Sequence, residues 1–218
     1  MASPVLWDVD TQIDFMLPEG KLYVPRAEHL RPAMSRLVEA ARSSGVVHVA
    51  SADDHELTDA EISDEPDLEQ TYPPHCLRGT PGAERVPETK QIDPLPLSES
   101  ALDRGRLARL VADRREILIL KKHFDVFTNP NTEALIELLD PDEIVLFGVA
   151  TDVCDDAAIK GMLRMGRKVS FVEDAARGLD TTRTERCLTH WREWGVTFTT
   201  TDAAAAKLRR SGPLAHAA

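Results

Sequence analysis

Six short runs rich in Val, Ile and Leu recur along the chain, at Val5–Val9, Val46–Ala50, Glu116–Leu120, Glu143–Phe147, Lys168–Val172 and Val196–Thr199. Their length suits buried strands better than helices. Between most of them lie segments whose apolar residues return with helical spacing: Leu30–Ser44, Thr132–Leu139, Val153–Met165 and Thr184–Trp194. Gly45, Gly166 and Gly195 each stand between such a segment and the next run, where a helix C-cap calls for positive φ. Strands alternating with helices define βαβ units. The expected fold is α/β, with a mainly parallel six-stranded sheet covered by helices on both faces.

The 218 residues suit one α/β domain, spanning residues 1–218, with a sizeable core. Lys+Arg number 26 against 37 Asp+Glu, a net charge of −11. That balance argues against nucleic acid or an anionic membrane surface as partner. Three cysteines, Cys76, Cys154 and Cys187, are too few and too scattered for a disulfide framework, which points to a reducing, cytoplasmic setting. The opening Met1-Ala2-Ser3-Pro4 lacks the basic stretch of a targeting signal. No apolar run approaches the ~18 residues a membrane span requires. From residue 52 to 98 the strand–helix rhythm fails, and Pro, Asp and Glu crowd a long loop of the kind that serves as a lid or binding loop. Within it, Tyr72-Pro73-Pro74-His75-Cys76 is stiff and aromatic, unlike a linker. The tail, 211–218, is expected to fray.

Three groups of residues carry chemistry. Gly148-Val149-Ala150-Thr151-Asp152-Val153-Cys154-Asp155 follows a buried strand and opens a helix. A thiol at such a turn meets converging backbone N–H groups, which favour thiolate and can hold an oxyanion. Read alone, a lone Cys is more often a small buried hydrophobe. The first strand ends in Asp8-Val9-Asp10-Thr11-Gln12-Ile13-Asp14-Phe15, and a carboxylate at the carboxyl edge of a parallel sheet can exchange a proton with that thiol. Lys121-Lys122 leaves the strand at Glu116–Leu120, and strand alternation turns one of the two ammonium groups inward. Finally, Asp53-Asp54-His55 with the distant His75 offers mixed oxygen and nitrogen ligands suited to zinc, iron or manganese.

Taken together, these motifs resemble the isochorismatase-like cysteine hydrolases, and within them the nicotinamidases. The resemblance rests on Asp10-x-Gln12-x-Asp14-Phe15, Asp53-x-His55, Pro73-Pro74-His75-Cys76 with Gly79-Thr80-x-Gly82-Ala83-Glu84, Lys121 with Asp125-x-Phe127, and Gly148 through Cys154. It implies a three-layer α/β/α sandwich and a catalytic triad of Asp10, Lys121 and Cys154, Lys121 being preferred over Lys122 by its spacing to Asp125. It further implies an oxyanion hole from the N–H groups of Ala150 and Cys154, with a cis peptide before Ala150. Asp53, His55 and His75 match the family's metal ligands for zinc or iron. For a further ligand Glu61 has the better spacing and Glu65 is its rival. Phe15 and Tyr72 fall where the family stacks rings on substrate. Two departures, Thr128-Asn129-Pro130-Asn131 after Asp125-x-Phe127 and the acidic Asp155-Asp156 after Cys154, bear on the substrate more than on the reaction.

The resemblance thus implies a metal-assisted amidohydrolase that takes nicotinamide to nicotinate and ammonia through a thioester. The alternatives are a ureido, carbamoyl or other linear amide, or isochorismate, as substrate, and a homologue that only binds metal. The implied partner is a small-molecule amide, and the implied assembly is a homo-oligomer, dimer or tetramer.

Overall fold

The computed structural model describes residues 3–211. The elements run β1 (Val5–Val9), α1 (Ile13–Met16), α2 (Arg31–Ser44), β2 (His48–Asp53), β3 (Leu95–Leu97), α3 (Arg104–Val111), β4 (Glu116–Lys121), α4 (Thr132–Leu139), β5 (Ile144–Val149), α5 (Cys154–Arg164), β6 (Val169–Arg177), α6 (Thr181–Glu193), β7 (Thr197–Thr199) and α7 (Thr201–Ser211). All strand pairs are parallel, in the order β3-β4-β2-β1-β5-β6-β7, and helices flank the sheet.

The sheet therefore has seven strands, not the expected six. The added strand is Leu95-Pro96-Leu97, three residues at the edge next to β4. Proline lacks the N–H of a two-sided ladder, so it suits an edge strand and hides it from a search for apolar runs. This strand lies inside the segment expected to be loop, and Asp53, at the other end of that segment, is the last residue of β2. The expected frayed tail falls, from residue 212 on, outside the described residues; Ser211 closes α7.

Burial follows sheet position. Every residue of β1, β2 and β5 is buried, whereas β4, next to the edge strand, alternates between half-buried and buried side chains. Strands covered on both faces read as continuous apolar runs, which is why the central ones stand out in the sequence. Polar residues enter these strands at His48, Ser51 and Asp53 in β2 and at Asp8 in β1. The Asp8 carboxylate is answered by the buried guanidinium of Arg85 and by Thr11 Oγ1 at 3.0 Å, as a charge in such a position requires. Gly45, Gly166 and Gly195 take φ of +67°, +70° and +84°, closing the helices before β2, β6 and β7.

Chain order and strand order together place the site. After β1 the chain steps outward to β2 and on to the edge strand β3, comes back to fill the place between them with β4, then crosses to the other side of β1 with β5. The topological switch point thus lies beside β1, and ligands of open parallel sheets gather there, at the carboxyl ends. Gly148 tightens the junction: a Cβ on it would stand 2.2 Å from the Val9 carbonyl oxygen, so only glycine lets β5 close on β1 just before the turn to Cys154.

Candidate active site and metal centre

Asp53 and Lys121 are register partners at the ends of β2 and β4, so their side chains share a face. Asp10, one residue past β1, sits in the left-handed region (φ +50°), which Asp tolerates better than most residues. Lys121 is buried and its ammonium pairs with both carboxylates, 2.9 Å from Asp10 Oδ2 and in contact with Asp53 Oδ1. Ser51 Oγ donates to Asp10 Oδ1 at 2.7 Å. Lys122 points the other way, to Asp59 at 3.0 Å.

The electrostatics of this group are set by burial first. Burial raises the Asp10 carboxyl above its ordinary range, and Lys121 only partly offsets it. Burial would lower Lys121, but Asp10 and Asp53 together overturn that and hold it well above the usual lysine value. Cys154, the first residue of α5, is also buried, and burial pushes its thiol well above 9.0 despite Lys121 nearby. Desolvation opposes the pull of the helix N-terminus toward thiolate, so a base beside Cys154 favours loss of its proton. Asp10, held as a carboxylate that prefers its proton more than usual, is suited to that role. The Val149–Ala150 peptide is cis. Among the described residues no backbone carbonyl accepts the N–H of Ala150 or of Cys154, which leaves both donors free at the turn.

Asp53, His55, Glu61 and His75 are all buried and each offers one ligand atom, all within 4.8 Å of one another. His75 Nε2 lies 3.3 Å from Asp53 Oδ2 and 3.9 Å from Glu61 Oε1, and His55 Nε2 lies 3.7 Å from each. Tetrahedral ligands at ~2.0–2.1 Å from an ion stand about 3.4 Å apart, so these atoms enclose a space of the right size for a small divalent cation. The outward nitrogens are already held: His75 Nδ1 faces the Pro73 carbonyl at 2.8 Å and His55 Nδ1 faces Asp59 Oδ2 at 3.2 Å. That is the arrangement metal-bound imidazoles use to fix their tautomer. His55 Nε2 is buried without a hydrogen-bond partner. Burial and the Asp53 charge push Glu61 up to about 7, a cost a cation would relieve. The donor set fits a metal ion. Glu65 is exposed, so the structure gathers Glu61 and not Glu65 into the cluster.

One pocket joins the two groups. Its walls include Cys154 and Ala150, Asp53, Glu61 and His75, and Phe15, Tyr72 and Phe124. Phe15 and Tyr72 tilt their rings toward His75 with centroids 5.2 and 6.3 Å away.

Several supporting residues carry no functional signal of their own type. Ser51 is two residues before Asp53 in β2, and that i, i+2 spacing puts both hydroxyl and carboxylate on one face. Gln12 accepts from the Asp53 N–H at 2.7 Å and donates to the Asp53 carbonyl at 2.8 Å, clamping the backbone of a residue in the candidate metal cluster. Of the two unusual acids after the thiol, Asp156 accepts from Trp191 Nε1 at 3.0 Å and pairs with Lys160. Asp155 is buried and pushed well above the ordinary carboxylate range by that burial; nothing in the structure explains its presence.

A parallel α/β scaffold with a thiol on a strand-to-helix turn, backed by a buried Asp–Lys pair, defines a class of cysteine-dependent hydrolase architecture. The isochorismatase domain pattern matches residues 97–203, a stretch that holds Lys121, Ala150 and Cys154. The chain is 27% identical over 189 residues to the nicotinamidase of Escherichia coli (strain K12), covering 79% of this chain and 82% of that protein. It is 29% identical over 194 residues to the nicotinamidase/pyrazinamidase of Mycobacterium tuberculosis, covering 86% of this chain and 94% of the relative. In fold it is similar to the pyrazinamidase of Pyrococcus horikoshii, solved in complex with zinc, with a TM-score of 0.71 at 22% identity over 91% of this chain and 99% of that one. No helix among the described residues is long and apolar enough to cross a membrane.

Proposed function

We propose that the protein is a cysteine amidohydrolase whose substrate is nicotinamide. The observation that carries this reading is the shared pocket: Cys154 and Ala150 line it together with Asp53, Glu61 and His75 and the rings of Phe15, Tyr72 and Phe124. A flat ring with a carboxamide at one end and a ring nitrogen at the other suits a pocket that holds both groups.

In this reading Asp10 takes the proton of the Cys154 thiol, while Lys121 holds the charge that Asp10 carries between transfers. The thiolate attacks the carboxamide carbon. The N–H groups of Ala150 and Cys154 receive the developing oxyanion, each donor being typically worth about 3 kcal/mol in the transition state. Asp10 returns its proton to the leaving nitrogen, and ammonia departs. A water then gives its proton to Asp10 and attacks the thioester, which releases the acid and restores the thiol. A divalent ion held by Asp53, His55, Glu61 and His75 supplies a Lewis-acid anchor for the ring nitrogen when bound. Phe15 and Tyr72 orient the ring and exclude water.

The test is ammonia release from a panel of carboxamides, with and without EDTA. Turnover of nicotinamide that chelation weakens and thiol alkylation abolishes is expected. Turnover lost to chelation but indifferent to alkylation would make Cys154 a bystander.

The metal centre has its own expected result. The purified protein should carry about one divalent ion per chain, zinc or iron ahead of manganese given two imidazoles and two carboxylates. His55→Ala should strip that ion and raise the KM for nicotinamide more than it lowers kcat, because an anchor on the ring acts on ground state and transition state alike. Glu61→Ala should weaken metal retention and Glu65→Ala should not. Metal-free protein that turns over nicotinamide at full rate would refute the centre.

A further inference from the structure

Asp8 is the one charged residue of an otherwise apolar β1, and the Arg85 guanidinium that answers it comes from the long loop after β2. Both side chains are buried. A buried ion pair is weak grounds for stability, since apolar side chains of similar volume often hold a fold as well or better. The contacts of this pair converge instead on the turn that carries Asp10.

Arg85 Nη2 donates to Asp8 Oδ2 and, at 2.9 Å, to Thr11 Oγ1, and it lies 3.5 Å from the Thr89 carbonyl. Its Nη1 donates to the Ser51 carbonyl at 3.1 Å. That carbonyl also accepts the Asp10 N–H at 3.3 Å, while Ser51 Oγ donates to Asp10 Oδ1 at 2.7 Å. One guanidinium thus grips the residues two before and one after Asp10, together with the serine that holds both the backbone and the carboxylate of Asp10. His48 Nε2 stands 3.4 Å from the same Asp8 oxygen. The backbone beside Arg85 reaches the same turn. The Glu84 carbonyl accepts the Ile13 N–H at 2.8 Å, and the Val86 N–H donates to the Thr11 carbonyl at 3.0 Å. Asp10 needs such holding, because its φ of +50° is left-handed, and a conformation of that kind persists only where its surroundings over-determine it.

We propose that Arg85 is a positioning residue: seated on Asp8, its planar fork fixes Ser51 and Thr11, and through them aims the Asp10 carboxylate at Cys154. The inference rests on the amidase reading and adds to it a residue that acts through others. A shift of about 1 Å at a catalytic group can cost roughly a hundredfold in rate. Arg85 is not among the walls of the pocket, so its loss should act on kcat and not on KM. A lysine would match the Asp8 charge but, as a single point charge, lacks the fork that spans Asp8 and the Ser51 carbonyl.

The experiment uses the metal-loaded, full-length protein. Arg85→Leu alone would strand the Asp8 charge in the sheet, so the deciding variant is the Asp8→Val, Arg85→Met double. It removes both charges and leaves Thr11 its contact with Thr89 Oγ1 at 2.6 Å. Arg85→Lys, which keeps a cation opposite Asp8, is the second variant. Beside the melting temperature, the readouts are kcat and KM for ammonia release from nicotinamide, the rate of Cys154 alkylation by iodoacetamide, and metal per chain. The double variant should melt close to wild type and keep its metal and its KM, while kcat and the alkylation rate each fall about tenfold or more. Arg85→Lys should show the same split to a smaller degree. A folded double variant with wild-type kcat and alkylation would overturn the positioning role and leave the amidase reading standing; should the double variant not fold, the same result in Arg85→Lys would do so. Metal lost in step with kcat would shift the effect to Asp53 and overturn the role as well. No ammonia from the wild type, with alkylation still slowed in the variants, would overturn the amidase reading alone. No ammonia and no change in alkylation would overturn both.

Discussion

Cys154→Ala is expected to lower ammonia release by roughly four orders of magnitude or more, the scale at which removal of a catalytic nucleophile is felt. The fold should survive, because alanine at the first position of α5 removes only a sulfur atom and suits a helix. Metal content should be unchanged, since Cys154 is not among the four gathered ligand atoms. The three readouts, ammonia, melting temperature and metal per chain, separate a lost nucleophile from a lost structure. A variant that keeps more than a few per cent of activity would remove Cys154 from the chemistry.

The second large effect belongs to Lys121→Ala. The ammonium of Lys121 is buried and serves two carboxylates, Asp10 and Asp53, that have drawn together around it. Taking it away leaves two buried acids without their counter-charge, a change of the kind that costs about 3–5 kcal/mol. In a chain of this size that is roughly a 10 °C loss in Tm. Activity should be near zero even below that temperature, because Asp10 loses the charge that lets it exist as a base. Lys122→Ala is the milder comparison: its half-buried ammonium pairs with a single carboxylate, Asp59, and its loss takes no charge from Asp10. The opposite ranking of the two variants would mean that the wrong lysine of the pair had been placed inside.

Much of this architecture is legible in the chain because parallel strands buried on both faces have to be apolar throughout. Val5–Val9 stands out for that reason, and Thr132–Leu139 has the same limits in the sequence and in the structure. What escapes has physical causes too. Leu95–Leu97 is short and contains Pro96, which an edge strand accepts. Helix α3 begins on an Asp103 cap, its carboxylate accepting from the Arg106 N–H, but Arg104, Arg106 and Arg109 leave its apolar stripe only two buried residues, Leu107 and Val111. Helix α7 is written largely in alanine, whose small side chains give little periodic contrast although Ala204, Ala205 and Leu208 are buried. The thiol at a strand-to-helix turn is legible from spacing. The protonation state of that thiol is not, because it depends on the burial produced by the whole fold. The same is true of Glu61, four residues from Glu65 in a loop without periodicity; only the path of the chain, with the Phe124 N–H donating to Glu61 Oε2 at 2.5 Å, brings one of them inside.

The clamp of Gln12 on the backbone of Asp53, and the shared ammonium of Lys121, have a consequence for how such a site diversifies. The proposed acid–base residues and the candidate cation cluster are not two modules that happen to be adjacent. Asp53 belongs to both, one oxygen on Lys121 and the other toward His75. A lineage that exchanged the ligand set for another chemistry would disturb Asp10 in the same step, and one that altered Asp10 would pass the change to the cluster. Selection therefore meets the two halves as a single trait. Side chains outside this set, such as Arg164 in α5 and Arg186 in α6, touch none of these shared bonds and can be replaced one at a time.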